Sequence, residues 1–155
     1  MRCLIPLICL FLIITTTKGI AQSSKKEIPK RSYTTKRIEN ANPPEIDGYI
    51  NEPIWDLVPY TTSYTQLQPD IGAPPTEQTK MKIIYDASYI YVAFVCLDQD
   101  PDGIEKRLSR RDGFAGDWVE ISFDSYNDDR TAFSFTLTAA GVKADEFISN
   151  NTRFD

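Results

Sequence analysis

The chain contains no histidine. That absence removes the usual general base near neutral pH, the Ser-His-Asp arrangement and most zinc or copper sites. Cysteine is scarce, with three in 155 residues, and Cys3 and Cys9 both fall in an apolar N-terminal run. The seven glycines fall at turns, and no glycine-rich phosphate loop of the required spacing occurs. Internal repeats, low-complexity tracts and a second domain are also missing.

The first residues read as an export signal: Arg2 precedes the apolar run Leu4 to Ile14, and Gly19-Ile20-Ala21 supplies small residues around a cleavage point. The run is short and weakly flanked for a membrane span, so a cleaved signal is the first reading and an uncleaved anchor the alternative. Cys9 follows Ile8 inside the run, without the small preceding residue that lipoprotein processing needs. Residues 1–21 are therefore expected to leave, with the final location in the periplasm, at the outer membrane or outside the cell. Cys96 then remains alone, without an intrachain disulfide. Its setting, Val95-Cys96-Leu97 at the end of an apolar run, reads as a small core residue rather than a nucleophile.

After export the chain holds 15 Lys or Arg against 22 acids, a formal charge of −7. Residues 22–40 carry six bases and two acids, whereas residues 41–155 carry nine bases and twenty acids. An acidic body repels phosphate backbones, so nucleic acid is excluded as a partner. The basic stretch Lys25 to Arg31 reads as solvated linker, and membrane contact is expected only through the remainder of a longer parent protein. Residues 22–37, rich in Ser, Thr and Lys, read as a flexible leader. The folded domain is expected over 38–155.

Glu52 to Leu57, with Pro53 in its first turn, reads as a short helix that points Trp55 inward. Five strands follow: Lys80 to Tyr85, Tyr89 to Leu97, Trp118 to Asp124, Ala132 to Thr138 and Val142 to Ile148. Turn residues separate them, so antiparallel hairpins are the economical connection and the fold class is an all-β sandwich. Alternation places Val119, Ile121 and Phe123, with Phe133, Phe135 and Leu137, on an apolar face. Trp118, Glu120, Ser122, Ser134, Thr136 and Thr138 fall on a polar, wet one. Tyr89 to Leu97 is apolar on both sides, which reads as a central strand packed above and below. Sandwiches commonly use seven strands or more, so a C-terminal continuation past Asp155 is expected.

Two-carboxylate chemistry fares poorly. Glu120 and Asp124 share a strand face, but four strand steps separate them by roughly 13 Å, beyond the ~5 to 9.5 Å that glycosidases use. No catalytic residue is assigned. Asp98, Asp100 and Asp102 alternate as in a calcium loop, yet Ser109 stands where an EF-hand needs Glu. The alternatives are an irregular structural calcium site and a plain acidic turn.

Three ordered stretches carry a family likeness: Pro44-Glu45-Ile46-Asp47-Gly48 through Pro53-Ile54-Trp55; Thr79 to Asp86 with Tyr89 to Val92; and Asp117-Trp118-Val119-Glu120-Ile121-Ser122-Phe123-Asp124. Their order and spacing resemble the family 9 carbohydrate-binding module, in the variant found at the N-terminus of long bacterial envelope proteins with a C-terminal region of unknown function. Arg110-Arg111-Asp112, Asp129-Arg130 and Ala139-Ala140-Gly141-Val142 are similar to that variant in particular. The resemblance implies a non-catalytic β-sandwich that binds glycan chain ends between aromatic rings, often with structural calcium, in a protein linked to polysaccharide breakdown or uptake. It implies that Phe114, three residues before Asp117, takes a ring-bearing position, and that Glu120 accepts hydrogen bonds from sugar hydroxyls. Trp118 is a candidate platform on the same face. Thr136 and Thr138 stand where sugar-binding members carry arginine and asparagine, and that departure opens a second reading: an envelope interaction domain that has lost its sugar.

Overall fold

A computed structural model of the chain describes residues 31–39, 43–150 and 152–154. The signal segment 1–21 and the first part of the leader lie outside the described residues. The regular structure of the described chain is strand, apart from two short 3-10 turns. β1 (Lys36–Arg37), β2 (Thr79–Tyr85) and β3 (Ile90–Cys96) form one sheet; β4 (Trp118–Phe123), β5 (Ala132–Thr138), β6 (Lys143–Ser149) and β7 (Thr152–Phe154) form the other. All pairings except the parallel β1–β2 contact are antiparallel. The fold is therefore all-β, as the alternating sequence predicts, and the five expected strands match to within a residue or two at each end.

Local chemistry closes the hairpins. Between β2 and β3, Asp86 accepts the backbone N–H of Ser88 and of Tyr89 at 2.6 and 2.8 Å and the Tyr91 hydroxyl at 2.7 Å. These three donors, the Ser88 amide foremost, hold the Asp86 carboxyl below the usual carboxylate range. The same carboxylate is the main reason the Tyr91 phenol is pushed up to about 12. Between β4 and β5, Asp124 and Asp128 accept the turn's own amides. The Thr131 hydroxyl, at 2.6 Å, is the largest cause of a lowered pKa at Asp128.

The core lies on the first sheet. Ile38, Trp55, Val58 and Ile84 are buried together, with Tyr33, Ile50, Ile54, Tyr91 and Ala93 packed against them. The expected helix is a single 3-10 turn, Pro53–Leu57, with Pro53 in its first turn and Trp55 facing inward. Lys82, on the inner face of β2, ties this turn to the sheet. Its ammonium donates to the Trp55 carbonyl at 2.7 Å, lies 4.4 Å from the centre of the Tyr60 ring and 3.8 Å from Asp56. A buried ammonium needs such partners, because desolvating an unpaired charge costs several kcal/mol.

Four readings change. Residues 31–37, assigned to the leader, lie against the first sheet: Tyr33 donates to Pro59 O, Thr35 to Ile83 O and Arg31 to Thr62 O, so the fold reaches back to Arg31. β3, read as central, stands at the edge of its sheet among the described strands, and none of its residues is buried. Cys96, read as core, closes that edge strand and is exposed. On β5 the burial is the reverse of the expectation. Ser134, Thr136 and Thr138 are buried, whereas Phe133, Phe135 and Leu137 are exposed. Alternation was read correctly, but it assigns faces and does not say which face is covered.

Candidate functional site

The polar face of the four-stranded sheet carries Trp118, Glu120, Thr136 and Thr138, and Phe114 lies on the loop that leads into β4. Register places Glu120 opposite Thr136, Ser122 opposite Ser134 and Trp118 opposite Thr138. On the other flank Ala144 stands opposite Thr136, and Glu146 opposite Ser134. β5 thus supplies a row of small hydroxyl residues between Trp118, Glu120 and Ser122 on β4 and Ala144 and Glu146 on β6. Ser134, Thr136, Thr138 and Ala144 are all buried on this face.

Hydrogen bonds across this face are numerous. The Ser122 and Ser134 hydroxyls are 2.6 Å apart, and Glu120, itself half-buried, accepts from Ser122 and from Thr136 at 3.3 Å each. The Thr138 hydroxyl accepts the Val142 amide at 3.0 Å, closing the β5–β6 turn. Thr136 and Thr138 are each only 5% exposed. Thr136 and Ser122 orient Glu120, and Trp118, Phe114 and Ser122 are the exposed side chains around it.

The aromatic pair stands at one end. Trp118 is 50% and Phe114 43% exposed, and their rings meet edge to face with centroids 5.8 Å apart. Such an arrangement aligns one ring's positive edge with the other's π face and leaves indole surface open. Phe114 is held there by a loop of known anchorage. Asp117 N donates to Glu105 O at 3.0 Å and Glu105 N to the Asp117 carboxylate at 2.9 Å, so residues 105–117 form a closed loop pinned at its base. Its far side is fixed to β6: Asp112 N donates to Lys143 O, and Arg111 pairs with Asp145 and Asp112. The Ser109 hydroxyl donates to Gly113 O at 2.8 Å. Anchored on β6 and at the start of β4, the loop delivers Phe114 to Trp118. Gly116 makes the pin achievable: its φ is +80°, and a Cβ there would lie 2.1 Å from Glu105 O.

The sequence pointed to Phe114, Trp118 and Glu120 without showing what joins them. The pinned loop, with Glu105 and Gly116 as its clasp, went unrecognised; the positive-φ glycine before Asp117-Trp118 was the available signal. Asp98, Asp100 and Asp102 do not converge. Asp98 accepts the Asp100 amide at 2.7 Å in a short turn, and among the described residues no group of three or more acidic, His or Cys side chains is arranged to hold a metal. Compared with protein families, curated proteins and solved structures, the chain matches none.

Proposed function

We propose that this chain is a non-catalytic carbohydrate-binding domain of an exported protein, linked to polysaccharide breakdown or uptake, with its two sheets assembled as a β-sandwich. The observation that carries the reading is the pairing of a half-exposed Trp118 with Phe114 beside the Glu120 carboxylate on one sheet face. An indole plane suits the CH-rich side of a pyranose, and a fixed carboxylate accepts its hydroxyl hydrogens. Two strand steps, about 7 Å, separate Trp118 from Glu120, close to the span of one sugar ring. The Thr136 and Ser122 hydroxyls fix the carboxylate before any ligand arrives, which lowers the ordering cost of binding.

A second reading, an envelope interaction or scaffold domain, draws on the committed hydroxyls of Thr136 and Thr138 and on the exposed apolar residues Phe133, Phe135, Leu137 and Phe147 of the opposite face. Affinity electrophoresis through gels containing plant and bacterial polysaccharides separates the two. The carbohydrate reading expects retardation on at least one polysaccharide, reduced about tenfold or more in affinity by Trp118→Ala and by Phe114→Ala, since truncating a central aromatic contact costs about 1 to 2 kcal/mol or more. Unretarded migration on every polysaccharide would hand the site to the second reading.

A further inference from the structure

A cleft lies on the first sheet, built from other residues than those around Trp118. Residues 37–39, at the end of β1, and residues 86–89, in the turn between β2 and β3, enclose about 470 Å³. That volume falls within the roughly 300 to 1,000 Å³ of small-molecule sites. The apolar part of its wall grows out of the core. Ile38 is buried in the cluster against which Tyr91 packs, and the Tyr91 ring centroid lies 6.2 Å from that of Tyr89. Tyr89 itself is 67% exposed. Both sides of the cleft are fixed by hydrogen bonds. Ile38 N donates to Tyr85 O at 2.7 Å, and Asp86 accepts the Ser88 and Tyr89 amides and the Tyr91 hydroxyl. A ligand entering here therefore orders little of the chain.

The polar lining is mixed in sign, and that selects the ligand. Arg37 brings guanidinium donors, Glu39 a carboxylate acceptor and Ser88 a hydroxyl that does both, all on exposed residues. Asp86 adds a second carboxylate, already engaged by the turn. An anion drawn to Arg37 meets both carboxylates, and a cation drawn to the carboxylates meets Arg37. Among the described residues no group of three or more acidic, His or Cys side chains is arranged to hold a metal. A neutral ligand that donates and accepts, and that has an apolar face for the Tyr89 ring, uses the whole lining. A pyranose has these properties. We infer that the cleft is a second sugar site, in which a neutral sugar ring lies against Tyr89 and its hydroxyls bond Arg37, Glu39 and Ser88. The inference rests on the carbohydrate reading for the source of that sugar, a polysaccharide. Two sites on one chain raise retention on a polymer above the affinity for a free monosaccharide.

The test titrates the full, nitrogen-15-labelled chain with free glucose, galactose, mannose and xylose in turn. Amide resonances of Ala87, Ser88 and Tyr89 report on the cleft, and the Trp118 indole N–H reports on the other site. With at least one of these sugars the inference expects saturable shifts at residues 87–89. Arg37→Gln and Tyr89→Ala, both at exposed positions, are expected to weaken that response about tenfold or more, leaving the Trp118 response and the thermal midpoint unchanged. Trp118→Ala is expected to leave the response at residues 87–89 intact. Saturable shifts at Trp118 alone would overturn the second site and leave the carbohydrate reading standing. Shifts at residues 87–89 alone would support the second site and count against the reading of Trp118. Shifts at neither would overturn both, and a response at residues 87–89 that survives both cleft variants would overturn the roles given to Arg37 and Tyr89.

Discussion

Trp55→Ala is expected to destabilise the protein by about 3 to 5 kcal/mol, with a large drop in its thermal and guanidinium midpoints. Trp55 is the largest member of a small core, packed with Ile38, Val58 and Ile84, and it fixes the 3-10 turn against the first sheet. Truncating a buried tryptophan costs about 3 to 5 kcal/mol, a large share of the roughly 5 to 15 kcal/mol that holds an ordinary domain together. The cost is not confined to lost packing, because the Trp55 carbonyl is also the acceptor of the buried Lys82 ammonium. A turn that loosens exposes that contact to water. Trp55→Phe keeps a large ring in the same place and is expected to cost less than about half as much. Guanidinium unfolding followed by circular dichroism measures both. An alanine variant with an unchanged midpoint would show that the core is elsewhere.

Gly116→Ala is expected to destabilise the protein by about 2 to 4 kcal/mol and to weaken glycan binding about tenfold or more, combining backbone strain with a steric clash. The comparison that isolates the clash is Gly141→Ala. Both glycines have φ near +80°, so both substitutions carry the positive-φ penalty, but nothing lies within 4 Å of a Cβ built at Gly141. At Gly116 the added methyl meets the Glu105 carbonyl at 2.1 Å, and the carbonyl is itself bonded to the Asp117 amide. Relief requires the clasp to open, which frees Phe114 from Trp118. Unfolding midpoints of the two variants, read beside polysaccharide affinity, decide the matter. Equal destabilisation by the two variants, with affinity unchanged, would contradict the role given to the loop.

Much of this architecture was legible in advance, and the reasons are local. Two-residue alternation from Lys80 to Ile148 marked five strands, and Asp, Asn and Gly at the turns marked their connections, because hairpin chemistry is written in neighbouring residues. Trp55 was readable as core because a proline-initiated turn with one large apolar residue must bury it. What stayed hidden depends on partners distant in sequence. β1 is a two-residue parallel contact supplied by a segment rich in Lys and Thr, which no periodicity reveals. β7 is three residues long, and its pairing with β6 was likewise unsignalled. β3 has the composition of a central strand but stands at an edge, and Cys96 is exposed for the same reason.

The site divides in the same way. Trp118, Glu120, Thr136 and Thr138 were placed on one face by counting residues, and the strand register brings them opposite each other. Counting could not show that the two threonines would be buried, with their hydroxyls engaged by Glu120 and Val142. Nor could it show Glu105 and Asp117 joined across twelve positions, the contact that carries Phe114 into place.

The central claim, that a sugar lies on Trp118, can be read from one optical measurement. The chain has two tryptophans, one buried at Trp55 and one half-exposed at Trp118, so acrylamide quenching of its fluorescence reports chiefly on Trp118. With a retained polysaccharide added to saturation, the account predicts that the accessible fraction falls to the level of Trp118→Phe, in which only Trp55 emits. Quenching that stays unchanged at polysaccharide concentrations that retard the protein in gels would contradict it.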